Sequence, residues 1–253
     1  MLNIVIPMAG RGSRFRDAGY TVPKPLVEIH GRPMIEVVMN NLRPSRPHRF
    51  IFLCLAEHLR ELGVRELLGR IAPGSLVVPV DAITQGAACT VLLAREYLAN
   101  DQPLMIANSD QWVDCSIDAY LEAMDQEGTD GLIMTMPASD PKWSYVRLDA
   151  AGRITEVVEK KVVSKEATVG IYNFRRGSDY VEGAEAMIDR DLRVNGEFYV
   201  APVYNELIAR GAKLAYYNVG SAMHGLGIPA DLDQFLADPA SHRAACANAM
   251  GGR

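Results

Sequence analysis

The residues best placed to do chemistry lie in a glycine-rich segment close to the N-terminus. Residues 7–15 read PMAGRGSRF and directly follow an apolar run, and residues 22–26 read VPKPL. Glycines and small neighbours let backbone N–H groups approach a ligand without intervening side chains, and such groups bind phosphate oxygens. Arg11, Arg14 and Lys24 add fixed positive charge to the same segment. The segment therefore predicts a phosphate-binding loop, and its charge suits a triphosphate best.

Two familiar nucleotide-binding motifs do not fit this segment. It is not closed by the Gly-Lys-Ser/Thr sequence that a P-loop requires, and it lacks the third glycine of the dinucleotide fingerprint. The remaining alternative is a tight turn between a strand and a helix, with its arginines in solvent. Two glycines, two arginines and a lysine held between prolines are an unusual combination for a plain turn, so the phosphate site is the favoured interpretation.

A carboxylate follows a later apolar run, residues 104–107. Ligands of open α/β sheets bind outside the carboxyl ends of the parallel strands, so Asp110 is expected to point into such a crevice. Triphosphate chemistry needs a divalent cation that bridges phosphate oxygens, and Mg²⁺ takes carboxylate and water ligands. Asp110 is therefore the predicted Mg²⁺ ligand, and a solvent-facing turn aspartate is the alternative.

Residues 7–15, together with Lys24-Pro25-Leu26, resemble the N-terminal signature of the sugar-1-phosphate nucleotidyltransferases, and the similarity extends to about residue 236. The resemblance implies a Rossmann-like α/β fold with a mainly parallel mixed sheet, of the nucleotide-diphospho-sugar transferase (GT-A-like) type. It also implies a Mg²⁺-dependent enzyme that transfers a nucleotidyl group from a nucleoside triphosphate to a phosphorylated acceptor and releases pyrophosphate. Arg14, Lys24 and Asp110 are then the predicted catalytic residues. The implied nucleotide contacts are Met8, Ala9, Gly10, Arg11, Gly12, Ser13, Gln85 and Gly86.

The resemblance also assigns residues to the nucleobase and to the acceptor. A glutamine offers a donor and an acceptor to a base edge, so Gln85 and Gly86 are the implied base contacts, with an ordinary helix start as the alternative. Lys160 is expected to bind the acceptor phosphate as a compact charge, unless it is an exposed strand-end lysine. The implied acceptor contacts are Glu159, Lys160, Gly170 and Glu197. Trp143 and Tyr145, which lie where the chain departs from the family, are further candidates for the wall of the acceptor pocket. Plain packing for the aromatic residues and a helix-start role for Glu197 stay open.

The chain departs from the family pattern at several positions. Lys161 replaces the proline that typically follows Glu-Lys, and Gln111 stands where hexose-phosphate enzymes often have asparagine. Gly225 occupies the position of an aspartate that many of these enzymes use as a second metal ligand. His224 or water would then complete the metal site, or the metal would rely on Asp110 and the phosphates alone. His224 is as well explained by packing against the nucleotide loop. Residues 141–145 read PKWSY where hexose enzymes tend to show Tyr-Gly. This departure and Gly225 favour a side branch that is similar to capsule- or natural-product-associated enzymes, some of which use CTP.

The composition agrees with a globular enzyme. The 253 residues are 49% hydrophobic and 23% charged, which is enough for one large buried core. The net charge of −5 argues against non-specific nucleic-acid binding. Four cysteines without close pairing predict free, mostly buried thiols in a reducing compartment. The apolar run at residues 2–6 reads as a strand, so no signal peptide is expected, and no apolar run approaches the roughly 20 residues that cross a bilayer. A cytoplasmic protein without membrane or nucleic-acid partners is expected.

Alternating apolar runs and helical patterns in the first half predict a mainly parallel sheet. Strands buried on both faces are predicted at residues 2–6, 50–55, 76–80 and 104–107, and helices at residues 33–42, 57–71, 86–98 and 117–126. Later strands are predicted at residues 131–136, 145–148, 154–157, 168–174 and 214–218, and later helices at residues 180–189 and 201–210. Residues 149–152 read DAAG, a hairpin-turn signal between two of these strands.

No linker or repeat divides the chain, so one nucleotidyltransferase domain is predicted over residues 1–238. Residues 1–137 would form its nucleotide-binding half and residues 138–238 its acceptor-binding half. Residues 239–253 are small and polar, which predicts a frayed tail or a contact within a homo-oligomer.

The expected reaction is an in-line attack of an acceptor phosphate oxygen on the α-phosphorus, assisted by positioning and charge neutralisation. Arg14 and the loop amides would hold the β- and γ-phosphates, and Lys24 the α-phosphate and the incoming phosphate. One alternative is a CTP-dependent cytidylyltransferase for a non-hexose phosphate or phosphonate. A glycosyltransferase of related fold is another, although such enzymes usually carry Asp-x-Asp where this chain has Asn108-Ser109-Asp110. A non-catalytic nucleotide-binding subunit is the third.

Overall fold

The computed structural model describes residues 1–126 and 128–246. Over these residues the strands are β1 (Leu2–Met8), β2 (Glu28–Ile29), β3 (Arg32–Pro33), β4 (His48–Leu55), β5 (Leu76–Val80), β6 (Leu104–Ala107), β7 (Gln111–Val113), β8 (Gly131–Pro137), β9 (Ser144–Leu148), β10 (Ile154–Glu159), β11 (Glu166–Phe174), β12 (Leu214–Asn218) and β13 (Met223–Gly225). The α-helices are α1 (Ser13–Asp17), α2 (Met34–Asn41), α3 (Ala56–Glu61), α4 (Val64–Ile71), α5 (Ala87–Leu92), α6 (Arg95–Leu98), α7 (Ile117–Met124), α8 (Gly177–Asp189), α9 (Tyr204–Ala209), α10 (Pro229–Ala237) and α11 (Ala240–Cys246). Short 3-10 turns cover Lys24–Leu26 and Ala201–Val203.

Most strands of the described residues join one nine-stranded sheet, in which β10-β9-β11-β6-β1-β4-β5 are successive neighbours. Strand β1 pairs in parallel with β4 and β6, and β5 extends the parallel half beyond β4. Strand β11 runs antiparallel to β6, β8 and β9, so the sheet is mixed. The predicted α/β fold class is confirmed. Because β1 and β6 are adjacent and parallel, the segments that follow them meet at the same sheet edge.

The two faces of the sheet are covered by different helices. Side chains of successive strand residues point to opposite faces. Ile4 and Ile6 of β1 therefore belong to the core beside α2, α4 and α7. Val5, between them, belongs to the core beside α5 and α8. Burial on both faces explains why β1, β4 and β6 are continuous apolar runs in the sequence.

Strand β5 differs from its prediction because it lies at the edge of the sheet. Leu76, Val77 and Val78 are only half-buried, and Pro79 is exposed, so the strand is not buried on both faces. Proline has no N–H for a further ladder hydrogen bond, which suits an edge position. The strand pattern was therefore correct and its inferred burial was wrong.

Three predicted helices are interrupted. The helix predicted over residues 57–71 consists of α3 and α4, separated at Gly63, whose φ of 62° is left-handed. The helix predicted over residues 86–98 consists of α5 and α6, with a break at Leu93 and Ala94. The helix predicted over residues 201–210 opens with the 3-10 turn Ala201–Val203 before α9 begins. Apolar periodicity alone does not detect such breaks.

The C-terminal residues add two helices that the sequence analysis did not predict. Helix α10 begins at Pro229, and α11 covers residues 240–246 of the segment predicted as a tail. Ala240 and Ala244 of α11 are buried in the core, so these residues pack against the domain. Residues 247–253 of that segment lie outside the described part of the chain. No helix of the described residues is both long and apolar enough to span a membrane.

The four cysteines are free thiols. Cys54 is buried, Cys89 and Cys115 are half-buried, and Cys246 is exposed, so full burial was correctly expected only for the first of them. Burial raises the pKa of Cys54 to about 12, and that of Cys115 to about 11. Both thiols therefore stay protonated at neutral pH.

Candidate active site

A cavity of about 520 Å³ opens at the carboxyl ends of β1 and β6. The loop after β1 forms one side, the segment after β6 the base, and β9, β10 and β11 the far wall. The predicted site residues that line it are Met8, Gly10, Gly12, Arg14, Lys24, Asp110, Trp143, Glu159, Lys160 and Gly170. The fold thus brings residues from five separate sequence segments into one cavity.

The glycine loop presents bare backbone to the cavity. A Cβ at Gly10 would have no atom within 4 Å. Gly12 has a φ of 58° and caps the N-terminus of α1, and a Cβ there would lie 3.4 Å from Cβ of Lys24. Arg14 follows in α1 and lines the cavity, and within the described residues its guanidinium has no hydrogen bond or ion pair. Its charge is therefore available to an anion.

Not every residue of the loop faces this cavity. Arg11 lines a second cavity of about 380 Å³ instead, together with Arg16 and His58. Ala9 is buried, and Ser13 is the exposed first residue of α1. The structure does not bring these side chains to the lining of the larger cavity. Their predicted nucleotide contacts stay predictions.

Lys24 and Asp110 form an ion pair inside the larger cavity. Lys24 Nζ donates to Asp110 Oδ2 at 2.8 Å, and the two side chains are only 21% and 27% exposed. Pro23 and Pro25 flank the lysine in its 3-10 turn and restrict its backbone. The N–H of Leu226 donates to the backbone oxygen of Asp110 at 2.8 Å. Both partners are therefore firmly placed.

A second carboxylate reaches the cavity that the sequence analysis did not identify. Asp231 lies in the first turn of α10 and lines the cavity, and its carboxylate has no hydrogen bond or ion pair within the part of the chain described. A Cβ at Gly225 would lie 3.1 Å from Asp231 Oδ2, and a Cβ at Gly227 would lie 2.9 Å from Asp110 Oδ2. The two glycines therefore leave room for two carboxylates. The available signal was the Gly-Leu-Gly-Ile-Pro-Ala-Asp sequence itself.

The pairing of β7 with β13 holds this part of the site. His224 of β13 packs against Trp112 and Phe235, with ring centroids 5.5 and 5.2 Å apart, and it does not line the cavity. His224 therefore has a packing role, but its ring contacts are these two residues and not the nucleotide loop that was expected. Gln111 is buried, and its amide donates to the backbone oxygen of Gly170 at 3.4 Å. Gly170 has a φ of 85°, which a non-glycine residue rarely adopts.

The implied base contacts Gln85 and Gly86 lie beside the cavity and are not part of its lining. Gly86 has a φ of 132°, and a Cβ there would come within 2.6 Å of the backbone nitrogen of Phe198. That nitrogen donates to the backbone oxygen of Gln85 at 2.8 Å, and the backbone N–H of Ala88 donates to the backbone oxygen of Phe198 at 3.0 Å. Close contact between two backbones explains the glycine without a ligand. The base contact stays a prediction.

The side chain of Gln85 has a fixed orientation. Arg193 donates to Gln85 Oε1 at 2.5 Å. A guanidinium carries only donors, so the amide must present its oxygen to Arg193 and its NH₂ group elsewhere. Arg193 itself lies over the ring of Phe198, 4.1 Å from its centroid, and also pairs with Asp191. Sequence analysis gave no indication of this support.

The far end of the cavity holds the buried carboxyl group of Glu159 and the side chains of Lys142 and Lys160. Ser144 donates to Glu159, and burial raises the pKa of the Glu159 carboxyl despite that hydrogen bond. Lys160 has a φ of 53°, which is uncommon for a residue with a side chain. Its Nζ donates to the Tyr199 hydroxyl at 2.5 Å, and this hydrogen bond raises the pKa of Lys160. The lysine is therefore a cation at neutral pH.

Of the remaining expected acceptor contacts, one lines the cavity and two do not. Trp143 lines the cavity, and Lys142 Nζ lies 5.0 Å from its ring centroid. Tyr145 is fully buried and donates to the backbone oxygen of Asp140 at 2.8 Å, so it does not reach the cavity. Of the two roles left open for Tyr145, its position fits packing and not the acceptor pocket, because alternate strand residues point to opposite sheet faces. Glu197 is exposed and lies outside the lining.

Known proteins are similar to this chain in sequence. Residues 4–189 match the family model described as nucleotidyl transferase. The chain is 30% identical over 180 residues to the mannose-1-phosphate guanylyltransferase catalytic subunit beta of Danio rerio. It is 30% identical over 235 residues to the bifunctional protein GlmU of Burkholderia orbicola (strain MC0-3). These alignments cover 68% and 90% of this chain and 49% of each relative, so the chain spans about half the length of these curated relatives.

Solved structures share its fold. The nucleoside-diphosphate-sugar pyrophosphorylase of Vibrio cholerae RC9 superposes with a TM-score of 0.82 at 28% identity, over 93% of this chain and 100% of that one. The inositol-1-phosphate CTP transferase of T. maritima has the same fold, with a TM-score of 0.76 at 17% identity over 98% of this chain and 96% of that one. The family match over residues 4–189 and the 30% identity to a relative aligned with 90% of the chain lead to one conclusion. The chain belongs to the nucleotidyl transferase family.

Proposed function

We propose that this protein transfers a nucleoside monophosphate from a nucleoside triphosphate to a phosphorylated acceptor and releases pyrophosphate. The acceptor class is a sugar-1-phosphate or a related small phosphorylated metabolite. The observation that carries the proposal is the Lys24–Asp110 pair, 2.8 Å apart, between the glycine loop and the Glu159–Lys160 end of one cavity. Family membership supports the same reaction class, since the relatives described above include a guanylyltransferase and an NDP-sugar pyrophosphorylase.

The residues would divide the work by charge. Arg14 and the amides of the glycine loop hold the β- and γ-phosphates, and Lys24 holds the α-phosphate beside the incoming phosphate. Lys160 holds the acceptor phosphate from the opposite end. An acceptor oxygen then attacks the α-phosphorus in line, and pyrophosphate leaves on the loop side. Since both reactants are anionic, alignment and neutralisation supply most of the catalysis, and no covalent enzyme intermediate is needed.

Two carboxylates fit a divalent cation in this cavity. Asp110 and Asp231 both line it, and each lies over a glycine where a side chain would press on the carboxylate. Oxygen donors of this kind suit Mg²⁺, which keeps several of its waters and binds through one or two carboxylates and substrate phosphates. Magnesium bound there would offset the charge of the phosphate oxygens. We therefore include Mg²⁺ dependence, with Asp110 and Asp231 as its protein ligands.

The orientation of Gln85 bears on the base. Because Arg193 takes its amide oxygen, Gln85 would offer N–H donors to a base edge that presents an acceptor. The four cysteines are free, which fits a reducing compartment, so we place the reaction in the cytoplasm. Its product would be an activated sugar nucleotide or analogue for polysaccharide or natural-product biosynthesis.

Pyrophosphate release tests the proposal. Each of CTP, UTP, dTTP, GTP and ATP is combined with a panel of phosphorylated sugars, polyols and amides, with Mg²⁺ present. At least one pair should give pyrophosphate and a nucleotidylated product in equal amounts. Arg14→Gln should lower that rate strongly, whereas Arg70→Gln, the same change on the exposed face of α4, should leave it unchanged. Sugar transfer from a sugar nucleotide without pyrophosphate would indicate a glycosyltransferase, and binding without turnover a non-catalytic subunit. Either result would refute the proposal.

A further inference from the structure

Asp110 is required by two different cations. Its Oδ2 accepts from Lys24 Nζ at 2.8 Å, in a pair that is largely shielded from solvent. The same carboxylate lines the cavity where the proposed function needs a divalent cation. A compact ammonium 2.8 Å from the oxygen already neutralises this carboxylate, and a second cation beside it would meet like charge at close range.

The lysine is also built to reach phosphate. Pro23 and Pro25 fix the backbone around it, and its Cβ lies above Gly12 of the glycine loop. The ammonium has three donors on a flexible stem, of which Asp110 uses one. A polyphosphate bound along the loop amides would place several anionic oxygens within reach of the same Nζ. Lys24 thus stands between one carboxylate and the expected path of the phosphates.

We propose that Lys24 is the counterion that occupies Asp110 until a polyphosphate arrives. The phosphates draw the ammonium away from the carboxylate, and the divalent cation takes its place on Asp110. Metal and nucleotide therefore enter together, and the metal alone binds weakly. This rests on the proposed function, because it assigns the polyphosphate tail to the glycine loop.

The charges of the site support this exchange. With Lys24 on Asp110 the pair is neutral, so Asp231 alone would offset a bare divalent cation and one positive charge would remain in excess. A triphosphate arriving with its cation supplies the negative charge that both cations need. A rival arrangement keeps Lys24 on Oδ2 throughout, where it would orient Asp110 so that the other oxygen faces the metal. The two arrangements predict opposite effects of removing the lysine.

The affinity of the protein for Mn²⁺ distinguishes the exchange from the arrangement in which Lys24 stays on Asp110. Mn²⁺ affinity is measured by electron paramagnetic resonance on the full chain without nucleotide, for the wild type and for Lys24→Met, a change of similar length without charge. We expect Lys24→Met to bind Mn²⁺ about tenfold more tightly. Lys160→Met removes a charge from the same cavity but from a lysine that contacts a tyrosine hydroxyl, and should change the affinity less than twofold. Adding Asp110→Asn to Lys24→Met should abolish the gain.

The effect of Lys24→Met on affinity should reverse, from a gain to a loss, when phosphates are present. Inorganic tripolyphosphate with Mn²⁺ serves as the probe, because it carries the tail without a base, and its binding is followed by calorimetry. Here Lys24→Met should bind at least tenfold more weakly than the wild type. An unchanged or weaker affinity for Mn²⁺ alone would overturn the exchange and indicate the orienting role. Absence of pyrophosphate release by the wild type with every substrate pair would instead refute the proposed function, and the Mn²⁺ comparison would still decide the role of the pair.

Discussion

Substituting Gly86 with alanine should disrupt the backbone contact between Gly86 and Phe198 and so destabilise the protein, in addition to any effect on base binding. A Cβ at this position would lie 2.6 Å from Phe198 N and 2.9 Å from Phe198 C. These are backbone atoms, which cannot swing aside as the end of a flexible side chain can. In addition, the φ of 132° is a conformation that residues with side chains rarely adopt. Gly86→Ala therefore has to separate two chain segments or change its own backbone.

The cost follows from these distances. Restoring an ordinary contact of 3.4 Å from 2.6 Å requires a movement of about 0.8 Å. The hydrogen bonds on either side, 2.8 Å at Gln85 and 3.0 Å at Ala88, would then become too long. Two such bonds contribute about 1–3 kcal/mol together. The backbone strain adds about 1–3 kcal/mol. We expect Gly86→Ala to lower the free energy of unfolding by about 2–6 kcal/mol.

Urea denaturation measures this effect, and Gly10→Ala is the matched control. Gly10 has a negative φ and no atom within 4 Å of an added Cβ, so its substitution should change the free energy of unfolding by less than about 0.5 kcal/mol. A loss below about 1 kcal/mol for Gly86→Ala, accompanied by a changed preference among nucleoside triphosphates, would refute the structural explanation. It would show instead that the glycine makes room for a base.

The other predictions concern Glu159, Asp231 and the glycine that lies against Asp110, Gly227. Burial raises the pKa of Glu159, so the native state keeps a proton that the unfolded state loses above about pH 4.5. Urea denaturation should therefore show Glu159→Gln more stable than wild type at pH 7, with the difference vanishing below about pH 4. In Gly227→Ala the Cβ would lie 2.9 Å from Asp110 Oδ2, so pyrophosphate release should fall at least tenfold while the Tm changes by only about 2–4 °C. Asp231→Asn should raise the Mg²⁺ concentration for half-maximal activity about tenfold, with unfolding free energy within about 0.5 kcal/mol of wild type.

The sequence predicted the centre of the site because two parallel strands carry it. Both β1 and β6 are continuous apolar runs, and each ends directly before a chemically distinctive segment. Since parallel neighbours end at the same sheet edge, the loop with Arg14 and the turn with Asp110 had to approach each other. The direct pairing of Lys24 with Asp110 is beyond this argument. It depends on the 3-10 turn between two prolines, which fixes where the lysine lies.

Asp231 escaped prediction for the opposite reason. Asp231 lies on α10, which follows β13, and the pairing of β13 with β7 places this part of the chain beside the cavity. Both strands have only three residues, which is too short to show a period-2 pattern. Their pairing joins Gln111 to Gly225 over a long separation along the chain. The missing side chain at Gly225 was visible in the sequence, but the carboxylate that lies over it was not. Only the tertiary fold connects the two observations.

The segment that ends at Phe198 and Tyr199 joins the two ends of the cavity. The backbone N–H of Phe198 donates a hydrogen bond to the backbone oxygen of Gln85, and the Phe198 backbone contacts Gly86, on the side where the base is expected. The next residue, Tyr199, accepts from Lys160 at the acceptor end. A displacement of this segment by about 0.8 Å would therefore move the partner of Lys160 as well. Gly86→Ala, in protein that stays folded, should raise the KM for the acceptor as well as for the nucleotide, whereas a glycine that serves only the base would leave the acceptor KM unchanged.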